Sequence, residues 1–374
     1  MSASPIAGKP WHTRSSPLAR GACVVYALLV LYSGLAPWRG WRDLGVGPFA
    51  FLTAPVPRHL TTFDLIVNVV GYMPLGALVV LALHPRTRGV LAGLIALVAG
   101  ALLSGTVETL QTFLPSRVPS NIDLATNSLG ALAGGLLAAP FASSLIDRGR
   151  LADVRLRWFE RRPSLLLLLV SLWPLAQVSP RPMLFGSGDL RDALGGLLSA
   201  LGGTWPTLDA AEFGPAEFVL AEAFVVAAAL LAVGLAFASA MRSAAPRALL
   251  LIALLLAALA VKALAHGTLF GPERAFAWLT PGAFGGLAIG MLALFAASAG
   301  PLRWRPRFAL VALAAALVAV NVVPVNPYFL INIQERRQGV FLNLNELSNW
   351  LSTLWPYALG LALLPYAATA RSLR

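Results

Sequence analysis

Residues 89–113, GVLAGLIALVAGALLSGTVETLQTF, form an apolar stretch with a single ionisable side chain, Glu108. A helix that crosses a bilayer needs about 20 mostly apolar residues, because lipid offers no partner for backbone N–H and C=O groups. The stretch therefore predicts a transmembrane helix. Near its C-terminal end, Ser104, Glu108 and Gln111 are separated by four and three residues, so they share one helix face.

The rest of the chain has the same character. Of the 374 residues, 58% are hydrophobic and only 12% are charged, which is too little charge for the surface of a soluble protein. We therefore predict an all-α integral membrane protein with about ten transmembrane helices. The predicted spans are 19–37, 62–83, 89–113, 122–141, 163–178, 215–240, 246–265, 280–299, 307–325 and 348–369.

The formal charge of +12 is explained by topology rather than by a nucleic-acid partner. If the N-terminus is cytoplasmic, most of the 28 Lys and Arg residues fall in cytoplasmic segments. Of the 16 acidic residues, only Asp147, Asp153 and Glu160 fall there. Positive charge concentrates on the cytoplasmic side of membrane proteins, so we predict that both termini are cytoplasmic and that no nucleic acid is bound.

The most charged stretch, IDRGRLADVRLRWFERR, divides the chain. It predicts a four-helix membrane domain over residues 1–145, a basic cytoplasmic connector over 146–162 and a six-helix membrane domain over 163–374. The single cysteine, Cys23, has no partner for a disulfide or a cysteine metal cluster. Walker, Rossmann and zinc motifs are missing from the sequence, so we predict no cofactor and no metal.

A polar motif occurs twice in the first domain. Asp64 and Asn68 begin one helix, Asp123 and Asn127 begin another, and both segments follow the pattern D-L-x-x-N-x-x-G. A spacing of four places each acid and its amide on one helix face. Together with Glu108 and Gln111, three helices each offer an acid–amide pair.

Arg117 lies in the short loop between the second and third of these helices and is the predicted partner of Asp64, Asp123 or Glu108. Ionisable groups inside a membrane are costly unless they pair or face the protein interior, so these groups predict a shared polar cavity. The alternative is a scaffold network that only orients three helices, aided by close contact at Gly130 and Gly134.

The order and spacing of these polar residues, with Gly71-Tyr72-Met73-Pro74-Leu75-Gly76 and Phe113-Leu-Pro-Ser-Arg117 between them, resemble the VanZ-like family. The resemblance covers about residues 20–145. It implies a role in the cell envelope, because VanZ lowers susceptibility to teicoplanin, a lipid-tailed glycopeptide. It also implies a bacterial cytoplasmic membrane location and membrane lipids or a lipid-linked envelope precursor as partners.

Three functions remain open for the polar cavity. The first is binding of a lipid headgroup, because the fork of donors on Arg117 suits phosphate. The second is an enzyme acting on such a lipid, in which Asp64, Glu108 or Asp123 acts as a general base or as a ligand of a divalent cation. The third is a lipid transporter.

In the second domain, Lys262 and Glu222 lie at matching depths on neighbouring predicted helices. An unpaired ammonium in hydrocarbon is costly, so we predict a structural ion pair between them.

Overall fold

The computed structural model describes residues 16–35, 38, 40–55, 62–146, 157–159, 165–179, 181, 183–324, 326 and 342–369. Every regular element in these ranges is helical. The chain divides into two compact units, Met1–Leu156 and Arg157–Arg374. The division falls inside the predicted connector, most of which lies outside the described residues.

The described part of the first unit contains four long helices and one short one. They are α1 (Pro17–Leu35), α2 (Thr62–Leu83), α3 (Gly89–Gln111), α4 (Asn121–Ala138) and α5 (Ala142–Ile146). Helix α4 begins where Ser120 accepts hydrogen bonds from the backbone N–H groups of Ile122 and Asp123, as expected of an N-cap serine.

Glycines bring α2 and α4 into backbone contact. Gly130 lies against the backbone of Val69, and Gly134 lies against that of Met73, with no room for a methyl group at either glycine. The step from Gly130 to Gly134 along α4 matches the step from Val69 to Met73 along α2, so the two helices run parallel. Small residues permit such close approach in membranes, where helices gain little from burying apolar surface.

Helix α3 packs against α4 in the opposite direction. Gly100 meets Ala131, and Gly93, about two turns earlier, meets Leu136. Helix α1 is held to α3 where Gly34 faces the side chain of Val107. The resulting four-helix arrangement places the start of α4 beside the end of α3.

The second unit is also helical. Its helices are α6 (Leu165–Ala176), α7 (Arg191–Ala200), α8 (Pro215–Ser239), α9 (Arg247–Phe270), α10 (Pro281–Ala299), α11 (Arg305–Val322) and α12 (Leu342–Thr369). Helix α8 lies at the centre of this unit, and half of its most apolar 18-residue segment is buried. Gly286 and Gly290 of α10 lie directly against Ala223 and Ala227 of α8.

All ten predicted segments are helical, but the count of ten spans is not confirmed. In the described part of the chain, seven helices are long and apolar enough to cross a membrane, namely α2, α3, α4, α8, α9, α10 and α11. The chain is therefore a multi-pass α-helical membrane protein. Helix α6 has 12 residues, which span about 18 Å and fall short of a hydrocarbon core of about 30 Å.

The chain after α6 is irregular, and the sequence did not predict the short helix α7 that follows. Phe185 and Gly188 both adopt positive φ angles, 57° and 91°. Irregular backbone leaves N–H and C=O groups without helical partners, and lipid cannot hydrogen-bond to them. Protein side chains must therefore supply the partners.

Candidate functional site

The seven predicted site residues lie on α2, α3, α4 and the loop between α3 and α4. Six of them have described side chains. Asp64 occupies the first turn of α2, and its side chain lies outside the described residues.

Glu108 anchors the start of α4 to the end of α3. Its Oε2 accepts a hydrogen bond of 2.8 Å from the backbone N–H of Ser120, and both residues are buried. Since the hydroxyl of Ser120 caps α4, a single serine connects Glu108 to the start of that helix. The sequence predicted Ser120 as the cap but not its bond to Glu108.

Two further side-chain pairs join the three helices. Asn68 Nδ2 on α2 donates to Asp123 Oδ1 on α4 at 3.0 Å. Asn127 Nδ2 on α4 donates to Ser104 Oγ on α3, also at 3.0 Å. The two copies of the sequence motif therefore meet, because the amide of the first binds the acid of the second.

The end of α1 also contributes to the site, which the sequence did not predict. Gln111 Nε2 donates to the carbonyl oxygen of Gly34 at 2.8 Å, and an Arg117 NH2 group lies 3.5 Å from the carbonyl oxygen of Ser33. The acceptors are main-chain groups, so no polar side chain on α1 marked them in the sequence.

Charged groups of both signs surround Glu108. The negative charge of Asp123 and the positive charge of Arg117 both act on its carboxyl group. Arg117 is thus close to Glu108, one of its three predicted partners.

The six described residues form two layers. Glu108, Gln111 and Asn127 are buried and bind neighbouring helices or the loop. Asn68, Arg117 and Asp123 are half-buried, so they present an amide, a guanidinium and a carboxylate at a partly accessible surface. Among the described residues, no group of three or more His, Cys, Asp and Glu side chains is placed to hold a metal ion.

In the second unit, the predicted Lys262–Glu222 ion pair is wrong. Lys262 is buried, and its ammonium donates to the carbonyl oxygens of Ser179 at 3.0 Å and Arg181 at 2.6 Å. Glu222 instead lies within hydrogen-bonding reach of Thr280. The prediction failed because the irregular chain after α6 offers carbonyl acceptors that helix depth alone did not reveal.

A second polar cluster surrounds that irregular chain. Arg191 binds the carboxylate of Asp189 through NH2 at 2.8 Å and Nε at 3.0 Å, and Arg181 approaches it at 3.6 Å. Asn321 accepts from the backbone N–H of Leu190 at 2.9 Å and donates to the carbonyl of Gly188 at 2.9 Å. These groups replace the hydrogen bonds that a continuous helix would make internally.

Together, the two arginines beside Asp189 affect its pKa more than its burial does. Burial by itself would raise the pKa of the carboxyl group, but hydrogen bonds from Arg191 and the charges of Arg191 and Arg181 hold that pKa below its usual 3.8. The sequence did not identify this cluster, because its residues lie in a segment without helical periodicity.

Comparison with known proteins finds a family match within the first unit. No curated protein and no solved structure shows significant similarity to the chain. The model of the VanZ/LLP1 family matches residues 22–143. This range includes all seven predicted site residues, from Asp64 to Asn127. Residues 22–143 of the chain are therefore a VanZ-like domain.

Proposed function

We propose that this chain is a cell-envelope protein of the VanZ type in a bacterial cytoplasmic membrane. Its VanZ-like domain binds the headgroup of a lipid or lipid-linked envelope precursor at the outer face. The observation that supports this proposal is the half-buried layer of Asn68, Arg117 and Asp123, in which Asn68 donates a hydrogen bond to Asp123.

The half-buried layer has the chemistry of a headgroup site. The guanidinium of Arg117 offers paired donors that match a phosphate. The Asn68–Asp123 pair offers an amide and a carboxylate, which suit the hydroxyl or amine groups of a sugar or peptide. Asn68 and Asp123 lie on neighbouring helices and bind each other, so little conformational entropy is lost when they bind a ligand.

The enzyme alternative has less support from the geometry. Glu108 accepts a hydrogen bond from the Ser120 backbone, and this bond ties the carboxyl group to the start of α4. A general base must lie within reach of a substrate proton, and Glu108 is only 2% exposed. Glu108 therefore serves as an anchor, and ligand contact falls to the half-buried layer.

Drug susceptibility tests the proposal in cells. A glycopeptide-sensitive Gram-positive host would express the wild type, Arg117→Ala, Asp123→Asn or the control Arg86→Ala, which lies in the α2–α3 turn. We expect the wild type and the control to raise tolerance to teicoplanin more than tolerance to vancomycin. The two site variants should lose most of that tolerance at equal membrane abundance.

Lipid binding by the purified protein is a second test of the proposal. The purified full-length protein would be incubated with phosphatidylglycerol and with a lipid-linked peptidoglycan precursor, and bound lipid would be counted by native mass spectrometry. Arg117→Ala should lower occupancy at least fivefold, whereas Arg86→Ala should not. Equal occupancy in both variants would show that the half-buried layer does not bind lipid.

A further inference from the structure

The second unit contains a cavity of about 640 Å³ between the beginnings of α8 and α10. This volume is in the range of small-molecule sites. Most of the wall is apolar or aromatic. The lining residues are Phe213, Pro215, Phe218, Val219, Glu222, Phe276, Ala277, Leu279, Thr280, Pro281 and Asn326.

Glu222 is the one ionisable residue among those lining residues. It is 3% exposed, and its Oε1 has no hydrogen-bond partner among the described residues. A buried carboxylate oxygen without a donor is costly, so the site lacks a donor that an occupant can supply.

The surrounding backbone makes room for this carboxylate. Gly282 lies against Glu222, where a Cβ atom would come within 2.5 Å of Oε2 and 2.8 Å of the Val219 carbonyl oxygen. Thr280 caps α10 by accepting a hydrogen bond of 3.0 Å from the backbone N–H of Ala283. The positive end of the α10 dipole therefore lies beside the carboxylate.

We propose that this cavity binds the primary ammonium headgroup of a membrane aminolipid, with Glu222 as its counter-ion. An ammonium brings three N–H donors, and the Oε1 of Glu222 and the hydroxyl oxygen of Thr280 offer acceptors for them. Phe213 and Phe218, with ring centroids 5.2 Å apart, and the exposed Phe276 contribute aromatic faces and edges to the same wall. Aromatic faces attract cations and also pack against acyl chains.

Binding by the full-length protein in detergent tests this site. The probes are phosphatidylethanolamine, phosphatidylcholine with the same acyl chains, and free ethanolamine, each titrated by native mass spectrometry. We expect phosphatidylethanolamine to bind at least tenfold more tightly than phosphatidylcholine, because a quaternary ammonium has no N–H donor. Ethanolamine should bind weakly, because it lacks the chains that would contact the aromatic wall.

Matched variants connect this selectivity to the cavity. Glu222→Gln should remove the preference for phosphatidylethanolamine, whereas Glu217→Gln, an exposed position one turn and a half earlier on α8, should retain it. Phe276→Ala, at a side chain that is 66% exposed, should weaken binding of both lipids without unfolding the protein. Equal binding of the two lipids by the wild type, or unchanged selectivity in Glu222→Gln with a native unfolding temperature, would overturn the proposal.

Discussion

Glu108 illustrates how one buried side chain stabilises the VanZ-like domain. Its carboxyl group accepts from the Ser120 backbone, and Gln at this position retains an acceptor of the same shape. We expect Glu108→Ala to lower the free energy of unfolding by about 2–4 kcal/mol, because a buried N–H loses its partner and a cavity forms. Glu108→Gln should cost less than about 1.5 kcal/mol.

The free energy of unfolding of both variants can be measured in mixed micelles, with sodium dodecyl sulfate as the denaturant. If Glu108→Gln is as damaging as Glu108→Ala, the negative charge matters more than the hydrogen bond. Electrostatic attraction to Arg117 would then be the main role of Glu108, and the assignment of Glu108 as an anchor would be incorrect.

Lys262 provides a second test at the residue scale. Its ammonium binds two carbonyl oxygens rather than Glu222, so Lys262→Met should cost about 2 kcal/mol by leaving those carbonyls unpaired. Because Lys262 and Glu222 share no contact in the described structure, a double-mutant cycle with Glu222→Gln should give a coupling energy below about 0.5 kcal/mol. A coupling above about 1.5 kcal/mol would restore the ion pair predicted from sequence.

The charge of Asp189 predicts how stability depends on pH. Its pKa is lower in the folded protein than the usual 3.8, so its stabilising contribution is full above that value and is lost as pH falls through the folded pKa. Asp189 lies between α6 and α7, outside the membrane-spanning helices. Between pH 5 and pH 2, the unfolding temperature of the wild type should fall more steeply than that of Asp189→Asn. Parallel curves would show that the Arg181–Asp189–Arg191 cluster contributes nothing to stability.

At the scale of elements, the parallel contact of α2 and α4 depends on particular glycines. Gly134→Ala would place a methyl group against the Met73 carbonyl, which cannot move without distorting α2. We expect a loss of about 1–3 kcal/mol from overpacking. Gly71→Ala is the matched control, because no atom lies within 4 Å of its added Cβ, and the gain in helix propensity should stabilise the protein by about 0.5–1 kcal/mol.

Gly71 and Gly130 show the limit of the sequence repeat. They occupy equivalent places in D-L-x-x-N-x-x-G, yet only Gly130 lies directly against the backbone of a neighbouring helix, whereas Gly71 has open space at its Cα and accepts a hydrogen bond of 2.7 Å from the hydroxyl of Tyr26 on α1 through its carbonyl oxygen. If Gly71→Ala and Gly134→Ala have equal effects in the sodium dodecyl sulfate titration, helix propensity rather than packing governs both positions.

Helix positions followed directly from apolar run length, because lipid permits few other structures. The spacing of the polar residues predicted a cavity shared by these helices, but it did not predict that Asn68 donates to Asp123. Helix α7 and the Arg181–Asp189–Arg191 cluster could not be predicted in this way. Their contacts join an irregular segment to distant helices, and neither hydropathy nor spacing of four encodes such contacts.

For the whole molecule, the location of the proposed headgroup site depends on topology. Charge asymmetry predicts that the α3–α4 loop and the segment after α7 face outward, while the α2–α3 turn and the α8–α9 turn face the cytoplasm. Single cysteines in a Cys23→Ala background can test this at four exposed positions, which are Arg86, Ser116, Gly202 and Ser243.

In intact cells, a membrane-impermeant maleimide should label Ser116→Cys and Gly202→Cys. It should label Arg86→Cys and Ser243→Cys only after permeabilisation. The reverse pattern would place Arg117 and Asp123 on the cytoplasmic side, because Ser116 is adjacent to Arg117 in the same loop. A glycopeptide acts outside the membrane, so that orientation would exclude direct action at this site and leave only a cytoplasmic-leaflet ligand for the VanZ-like domain.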